Sequence, residues 1–503
     1  MKLALGFGLL AAVTQASSTE ESTATGPIEY VIYLMMENRA FDHILGHLNT
    51  LNPDIDGCTP DKPGCSNPMD PNDPNSAEIP MTWNAVYEQS DPCHSTSCST
   101  NQVFGFNDEN EANNEPNMRG FLKSYSEVTS EEYAPSLMDS FHSSHVPALA
   151  NLSMEYAVFD GYFASVPGPT MVNRAYCAAG TSSGMAENNW DRMLAGLKDK
   201  TMFTQLLDMG LDYKVYFQQI PMVLQHADMR GLNRRHKYRP YRSLLKDLET
   251  GDLPEFSFIE PAYYDYDKFP ATDQHPDHDV SAGDALIKEV YEAVRASPKW
   301  EKTALFITYD EHGGFWDHVS PPTAPNPDNR NATDDPFDFS RLGIRVPMVV
   351  VSPWISKGTV IHSPAEGGQY EHSSIIKSVV HEMFKPKEGK PEQEYLTQRD
   401  SWSAGMGFLF NDLSSPRSDC PMTVPDVPSH REQYPNSLPK LDGKMPISDL
   451  QRELIQLAAV MCEEGRSEDD MANVRSLEFL GGMEERDGLE YVTKRLKECG
   501  IEA

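Results

Sequence analysis

Three widely separated segments carry side chains able to do chemistry together: Glu37-Asn38, Thr170 and Asp310-Glu311. Their carboxylate, amide and hydroxyl oxygens are hard ligands, which suit Ca²⁺, Mg²⁺ or Mn²⁺ better than zinc. Thr170 follows Val166-Pro167-Gly168-Pro169 and precedes the helix-forming run Met171 to Ala179. Its hydroxyl therefore falls at a helix N-terminus, where free N–H groups and the macrodipole favour a phosphate and an ionised hydroxyl. Beside a metal, such a hydroxyl is an in-line nucleophile toward phosphorus. Threonine is also a preferred helix cap, and position alone favours that plainer role.

The elements that must hold these groups are legible as alternating runs. Strands are expected at Ile28 to Met35, Tyr156 to Asp160, Tyr213 to Phe217, Phe256 to Glu260, Ala304 to Tyr309 and Pro347 to Ser352. Several are apolar almost throughout, as in central strands covered on both faces. Helical segments such as Met202 to Met209 and Ala282 to Ala296 lie between them. This alternation predicts a doubly wound α/β sheet, in which ligands sit beyond the carboxyl ends of the strands. The first strand runs almost directly into Glu37-Asn38 and the fifth into Asp310-Glu311, so both pairs should lie at strand tips.

Bulk properties narrow the class. Against 42 basic side chains stand 76 acidic ones, a formal net charge of -34, which excludes a surface built for nucleic acid. Lys2, the apolar run Leu3 to Val13 and Thr14-Gln15-Ala16 read as a secretory signal, residues 1–16, too short to span a bilayer. No transmembrane segment is expected, and the mature chain is expected to be secreted. The eight cysteines then read mainly as disulfides. Cys58 with Cys65, and Cys93 with Cys98, are close enough to close small loops. At least two of Cys420, Cys462 and Cys499 are expected to pair, and Cys177 to be a buried free thiol. Asn151-Leu152-Ser153 and Asn331-Ala332-Thr333 are glycosylation sequons.

Residues 26–384 form the expected catalytic domain. Residues 385–503 read as a Pro-rich linker and a small helical C-terminal region in which nothing suggests chemistry. Ser448 begins a capping-box pattern with Gln451, and Leu450, Leu454 and Leu457 repeat at helical spacing. Ser467 and Asp470 offer a second helix start.

Six blocks carry a family resemblance: Glu37-Asn38-Arg39-Ala40-Phe41-Asp42-His43; Asp91-Pro92-Cys93-His94-Ser95; Gly168-Pro169-Thr170 with Asn173-Arg174; His275-Pro276-Asp277-His278-Asp279-Val280; Thr308 to Val319; and Glu371-His372-Ser373-Ser374-Ile375. In type and order they resemble the phosphoesterase family of non-specific phospholipases C and acid phosphatases. Ala40 and Cys93 depart from the usual Ser and Gly, at positions that are not expected ligands. The resemblance implies an alkaline-phosphatase-like α/β sandwich with a mostly parallel central sheet. It implies Glu37, Asn38, Thr170, Asp310 and Glu311 as ligands of a divalent metal, and Thr170 as a nucleophile that becomes phosphothreonine. His94, His278 and His275 would contact phosphate or move protons. Arg174 could clamp phosphate or pair structurally. His312 and His372 are expected to support the site, Asp42 and His43 to orient the Glu37 loop, and Asp317 and His318 to shape a turn.

The substrate implied by the resemblance is a glycerophospholipid cleaved to diacylglycerol, with transient contact at a membrane surface. The rival is an acid phosphatase acting on small phosphate monoesters. A rival of another class is an inactive secreted binding protein of the same fold. Tyr263, Tyr264 and Tyr266 with Phe315-Trp316 could line a lipid entrance, or pack in the core.

Overall fold

The computed structural model describes residues 23–266, 268–460 and 482–501. The leader, the second tail helix start and Cys462 lie outside these residues. Eight strands form the main sheet: β1 (Tyr30–Met36), β2 (Ala157–Phe159), β3 (Tyr213–Phe217), β4 (Tyr238–Pro240), β5 (Phe256–Glu260), β6 (Thr303–Tyr309), β7 (Met348–Val351) and β8 (Thr359–Ile361). Their spatial order is β8-β2-β7-β6-β1-β5-β3-β4. All pair in parallel except β7, which is antiparallel to both neighbours.

The reason is visible in the residues. Val31-Ile32-Tyr33-Leu34-Met35-Met36 and Thr303 to Tyr309 are fully buried, because helices cover both faces of the sheet and leave no polar side. The covering helices include α1 (Pro147–Glu155), α2 (Thr170–Ala179), α3 (Met202–Asp208), α4 (Tyr241–Thr250) and α5 (Val280–Ala296). The expected mostly parallel α/β sandwich is present. β1 and β6 pair from Tyr30↔Thr303 to Met36↔Tyr309, so Glu37 and Asp310 leave adjacent strands at the same level.

Cys58–Cys65 and Cys93–Cys98 are bonded, and Cys177 and Cys420 are buried thiols. Cys499 is disulfide-bonded, with its partner outside the described residues. The tail is no appendage. Its helices α6 (Asp449–Val460) and α7 (Glu485–Glu498) bury Leu450, Leu454, Leu457, Val492 and Leu496 in the main core. The capping box is reciprocal: Ser448 N–H donates to Gln451 Oε1 at 2.9 Å and Gln451 N–H to Ser448 Oγ at 3.1 Å. No helix among the described residues is long and apolar enough to cross a membrane.

Candidate active site

Thr170 is the first residue of α2, and Pro169 takes the cap position. Capping therefore does not account for the hydroxyl. Instead Thr170 Oγ1 donates to Glu37 Oε1 at 2.5 Å and lies 3.5 Å from Asn38 Oδ1. Three chain segments that are far apart in sequence thus meet at one point, and Glu37, Asn38, Asp310 and Glu311 are all fully buried there.

Asn38 holds a left-handed backbone (φ 55°), which short amide side chains tolerate. Its N–H donates to Asp310 Oδ1 at 3.1 Å, and Glu311 N–H donates to the same oxygen at 2.8 Å. Gly313 (φ +64°) lies so close to Asn38 that a Cβ would sit 2.3 Å from the Asn38 carbonyl oxygen. That contact explains the glycine after Glu311-His312. The Asn38 amide turns its oxygen toward Thr170, and the opposite assignment of its oxygen and nitrogen satisfies more partners. With its nitrogen toward the carboxylates it donates to Glu37 Oε1 at 3.2 Å and to Glu311, while its oxygen accepts from His275 Nε2 at 3.2 Å. With its oxygen toward them, oxygens of Glu37, Asn38, Thr170 and Glu311 face one another, an arrangement that a cation stabilises. Carboxylate, amide and hydroxyl oxygens of this kind are the ligand types that suit a hard divalent ion.

Charge in the site is unbalanced in the same sense. Burial, then the neighbouring Asp310, pushes the Glu37 carboxyl well above its ordinary range; burial also raises Asp310 and Glu260. Arg174 is the hub among them. Its Nη2 donates to Glu37 Oε2 at 2.6 Å, its Nε to Asp310 Oδ2 at 2.9 Å and its Nη1 to Glu260 Oε2 at 3.2 Å. The guanidinium is thus committed to carboxylates, which places Arg174 as an anchor of the site walls rather than a free phosphate clamp. Glu260 ends β5, and its role as third arm of this hub was missed from sequence. The only signal was an acid at the tip of a buried strand.

Three histidines flank these carboxylates. Burial disfavours a charged His94, but Glu311 and Asp91 outweigh it and raise the ring to about 9. Its Nδ1 donates to Pro92 O at 2.8 Å, leaving Nε2 on the Glu311 side at 3.9 Å. His275 Nδ1 pairs with Asp277 at 2.8 Å, and His278 Nδ1 with Asp273 at 2.6 Å. Asp273 also accepts from His275 N–H at 3.3 Å, and its carbonyl receives Glu37 N–H at 2.9 Å. Sequence reading passed over this residue.

Among the described residues, His275, Asp277 and His278 form a compact group able to hold an ion, and a second group, Asp42, Cys58 and His318, has its sulfur consumed in a disulfide. His312 bridges Gln102 at 3.0 Å and Glu311 at 3.3 Å. His372, held neutral with its pKa lowered to about 4 by burial, donates through Nε2 to the Asp310 carbonyl. Both rings support the Asp310-Glu311 turn.

The tail reaches this region, contrary to expectation. Gln451 Nε2 lies 3.4 Å from His278 Nε2 and donates to Glu485 Oε1 at 2.8 Å, and Glu485 lies 3.9 Å from His278. Glu453 accepts from Asn188, whose side chain receives the Met171 N–H at 3.2 Å, next to Thr170. Tyr263 and Tyr264 are fully buried, Phe315 and Trp316 nearly so, so these four do not line a lipid entrance. Tyr263 instead donates to Glu260 at 2.7 Å.

Comparison with known proteins gives a consistent picture. The phosphoesterase family model matches residues 28–385. Non-specific phospholipase C1 of Arabidopsis thaliana is 42% identical over 442 residues, covering 86% of this chain and 79% of its own. Non-specific phospholipase C3 of the same plant is 35% identical over 489 residues, covering 95% and 90%. Phospholipase C B of Mycobacterium tuberculosis is 27% identical, covering 83% of each chain.

Proposed function

Because the chain belongs to the phosphoesterase family and is a phosphoric ester hydrolase of phospholipase C type, we propose that it cleaves glycerophospholipids through a phosphothreonine at Thr170. The supporting observation is the Thr170 hydroxyl itself, uncapped at a helix N-terminus and 2.5 Å from Glu37.

In the first step Thr170 Oγ1 forms a bond to phosphorus and the bond from phosphorus to the glycerol oxygen breaks. Glu37 Oε1 receives the hydroxyl proton and keeps the oxygen aimed. His94, cationic at neutral pH, gives its Nε2 proton to the departing diacylglycerol oxygen. In the second step neutral His94 takes a proton from water as the water oxygen bonds to phosphorus. The Thr170–phosphorus bond breaks, Thr170 takes back the proton held by Glu37, and the phosphorylated head group leaves. A divalent ion held by Glu37, Asn38, Thr170, Asp310 and Glu311 would lower the hydroxyl pKa and offset phosphoryl charge. Arg174 holds Glu37 and Asp310 in register throughout, while His275, with its Nε2 3.6 Å from Asp91, and His278, anchored on Asp273, brace the Glu37 loop.

We also propose that the protein is secreted. The short-loop disulfides Cys58–Cys65 and Cys93–Cys98 support an oxidising compartment, and exposed Asn331 would accept a glycan.

The test is one assay with two substrates, phosphatidylcholine liposomes and a soluble phosphate monoester, with and without chelator, quenched in acid. Diacylglycerol release and a phosphorylated Thr170 peptide are expected. Inorganic phosphate from the monoester without diacylglycerol would replace this reading with that of a phosphatase. Activity surviving Thr170→Ala would remove the covalent step.

A further inference from the structure

A chain of net charge -34 gathers cations in one place. From Arg230 to Lys246 it carries seven of its 42 Lys and Arg, and no Asp or Glu. Three are used internally: Arg230 on the Leu194 and Leu224 carbonyls, Arg234 on Tyr213, and Lys237 on Asp212. The other four, Arg235, Arg239, Arg242 and Lys246, are exposed or half-exposed and enter no ion pair among the described residues.

Sheet register places this segment on the catalytic side. Pro240 at the end of β4 and Glu260 at the end of β5 both pair with Phe217 of β3. The basic segment therefore turns from strand to helix about 10 Å, two strand spacings, from the Glu260 arm of the Arg174 hub. Arg242 and Lys246 follow on one face of α4.

The tail extends the patch. A side chain on Gly500 would lie 3.4 Å from the Arg235 guanidinium, so the end of α7 adjoins the basic segment. Lys494 and Lys497 border a groove of about 530 Å³ between α7 and Tyr266, with Glu490 and Glu498 as its acids among the described residues. Tyr266 and Phe269 close a tight turn, exchanging hydrogen bonds at 2.9 and 2.8 Å. At its tip Lys268 is exposed and Phe269 is 72% exposed, the largest exposure among the large apolar side chains described. This turn lies on the loop joining Glu260 to Asp273, so both of its ends are in the site.

We propose that this face, Arg235, Arg239, Arg242 and Lys246 with Lys497 and the Phe269 tip, docks the enzyme on an anionic phospholipid surface. Basic groups are drawn to the surface potential of acidic lipids, and an aromatic tip seats in the headgroup boundary. The rest of the strongly negative molecule is repelled, which orients the site toward the bilayer. The proposal rests on the phospholipase reading for its purpose but not for its measurement.

The test is co-sedimentation of the full chain with phosphatidylcholine vesicles, with and without phosphatidylserine. Binding that requires phosphatidylserine and weakens with salt is expected. The triple variant Arg239→Gln/Arg242→Gln/Lys246→Gln should bind about 10²-fold more weakly, near five-fold per charge. Phe269→Ala, at a solvent-exposed position, should bind several-fold more weakly. Both variants should keep wild-type turnover on a short-chain phosphatidylcholine below its micelle-forming concentration. Wild-type binding that is absent, or unchanged in both variants, overturns the proposal, as does capture of an acidic protein in place of vesicles. Patch-dependent binding without hydrolysis of any phospholipid would retain the docking face and reject the substrate assignment.

Discussion

Two buried arginines organise two ion networks in this molecule. Arg174 gathers Glu37, Asp310 and Glu260. Arg345 gathers Asp317 through Nε at 2.9 Å and Asp42 at 3.3 Å, with the Asp56 and Asp160 carbonyls at 2.8 and 2.7 Å. Around Arg345 the charges close on themselves. His318 joins Asp42 at 2.5 Å and Asp56 at 3.2 Å, Lys62 joins Asp56 at 2.9 Å, and Asp42 also accepts the N–H groups of Cys58 and His318. Around Arg174 they do not close. One guanidinium faces three carboxylates with Glu311 beside them, and burial together with mutual repulsion raises Glu37. The balanced network is scaffold. The anionic excess of the other suits the cation and phosphoryl group proposed for it. Both are written in the same two sequence blocks: Glu37 and Asp42 in one, Asp310 and Asp317 in the other.

The largest expected effect separates the two directly. Thr170→Ala should lower kcat by about 10⁴-fold or more, as loss of a nucleophile does, while thermal melting stays near wild type. A variant with substantial residual turnover would mean that the Arg174 network does not serve Thr170.

The next prediction is a paired one. Arg345→Met leaves Asp317 buried without its cation and Asp42 with His318 alone, and should cost about 3–5 kcal/mol of stability, measured by denaturant unfolding. Arg174→Met leaves Glu37, Asp310 and Glu260 facing one another. Added Ca²⁺ or Mn²⁺ should recover part of its melting temperature but none of that lost in Arg345→Met. Equal recovery in both, or in neither, would erase the distinction between an open and a closed network. A smaller loss, about 10²-fold in kcat, is expected for His94→Gln. Substrates with a good leaving group should be spared, because they need no proton from His94; a uniform loss across leaving groups would assign the ring to binding.

Much of the open network could be read from sequence because it sits where the architecture puts ligands. Glu37 and Asp310 follow buried strands, and Thr170 follows a Pro-Gly-Pro turn. The two short-loop disulfides were legible for a similar reason, since short separations leave few geometries. What escaped was long-range. Arg174 lies 86 residues from Glu260, and no local pattern tells an arginine that binds phosphate from one that binds three carboxylates. Asp273 looked like any loop acid. Gln451 was legible as a capping residue, and it does cap α6 through Oε1, but its Nε2 is spent on Tyr263 O, at 2.7 Å, and Glu485. The tail's amphipathic stripe announced burial without naming the surface it covers. That surface proved to be the wall behind His278. The basic run from Arg230 to Lys246 was passed over in the sequence, because its place beside the site follows only from the register of β3, β4 and β5.

The smallest prediction concerns the closed network and its pH dependence. Burial disfavours charge on His318, but Asp42 and Asp56 outweigh it and raise the ring to about 10. An unfolded histidine titrates near ~6.5, so between these values the folded chain holds a proton that the unfolded chain has lost. The resulting stabilisation is fully present below about 6.5 and disappears as pH rises through about 10. His318→Gln should therefore cost on the order of 1–2 kcal/mol at neutral pH, with the gap to wild type narrowing above pH ~9. The depressed Asp42 carboxyl reports the same ion pair from its other side, so the two shifts are one effect and not two. Turnover by His318→Gln at 25 °C should match wild type, because among the described residues no ion pair of the Arg345 network is made to Glu37 or Asp310. A gap that instead widened with rising pH would mean that His318 is neutral in the fold and that the second network, too, carries uncompensated negative charge.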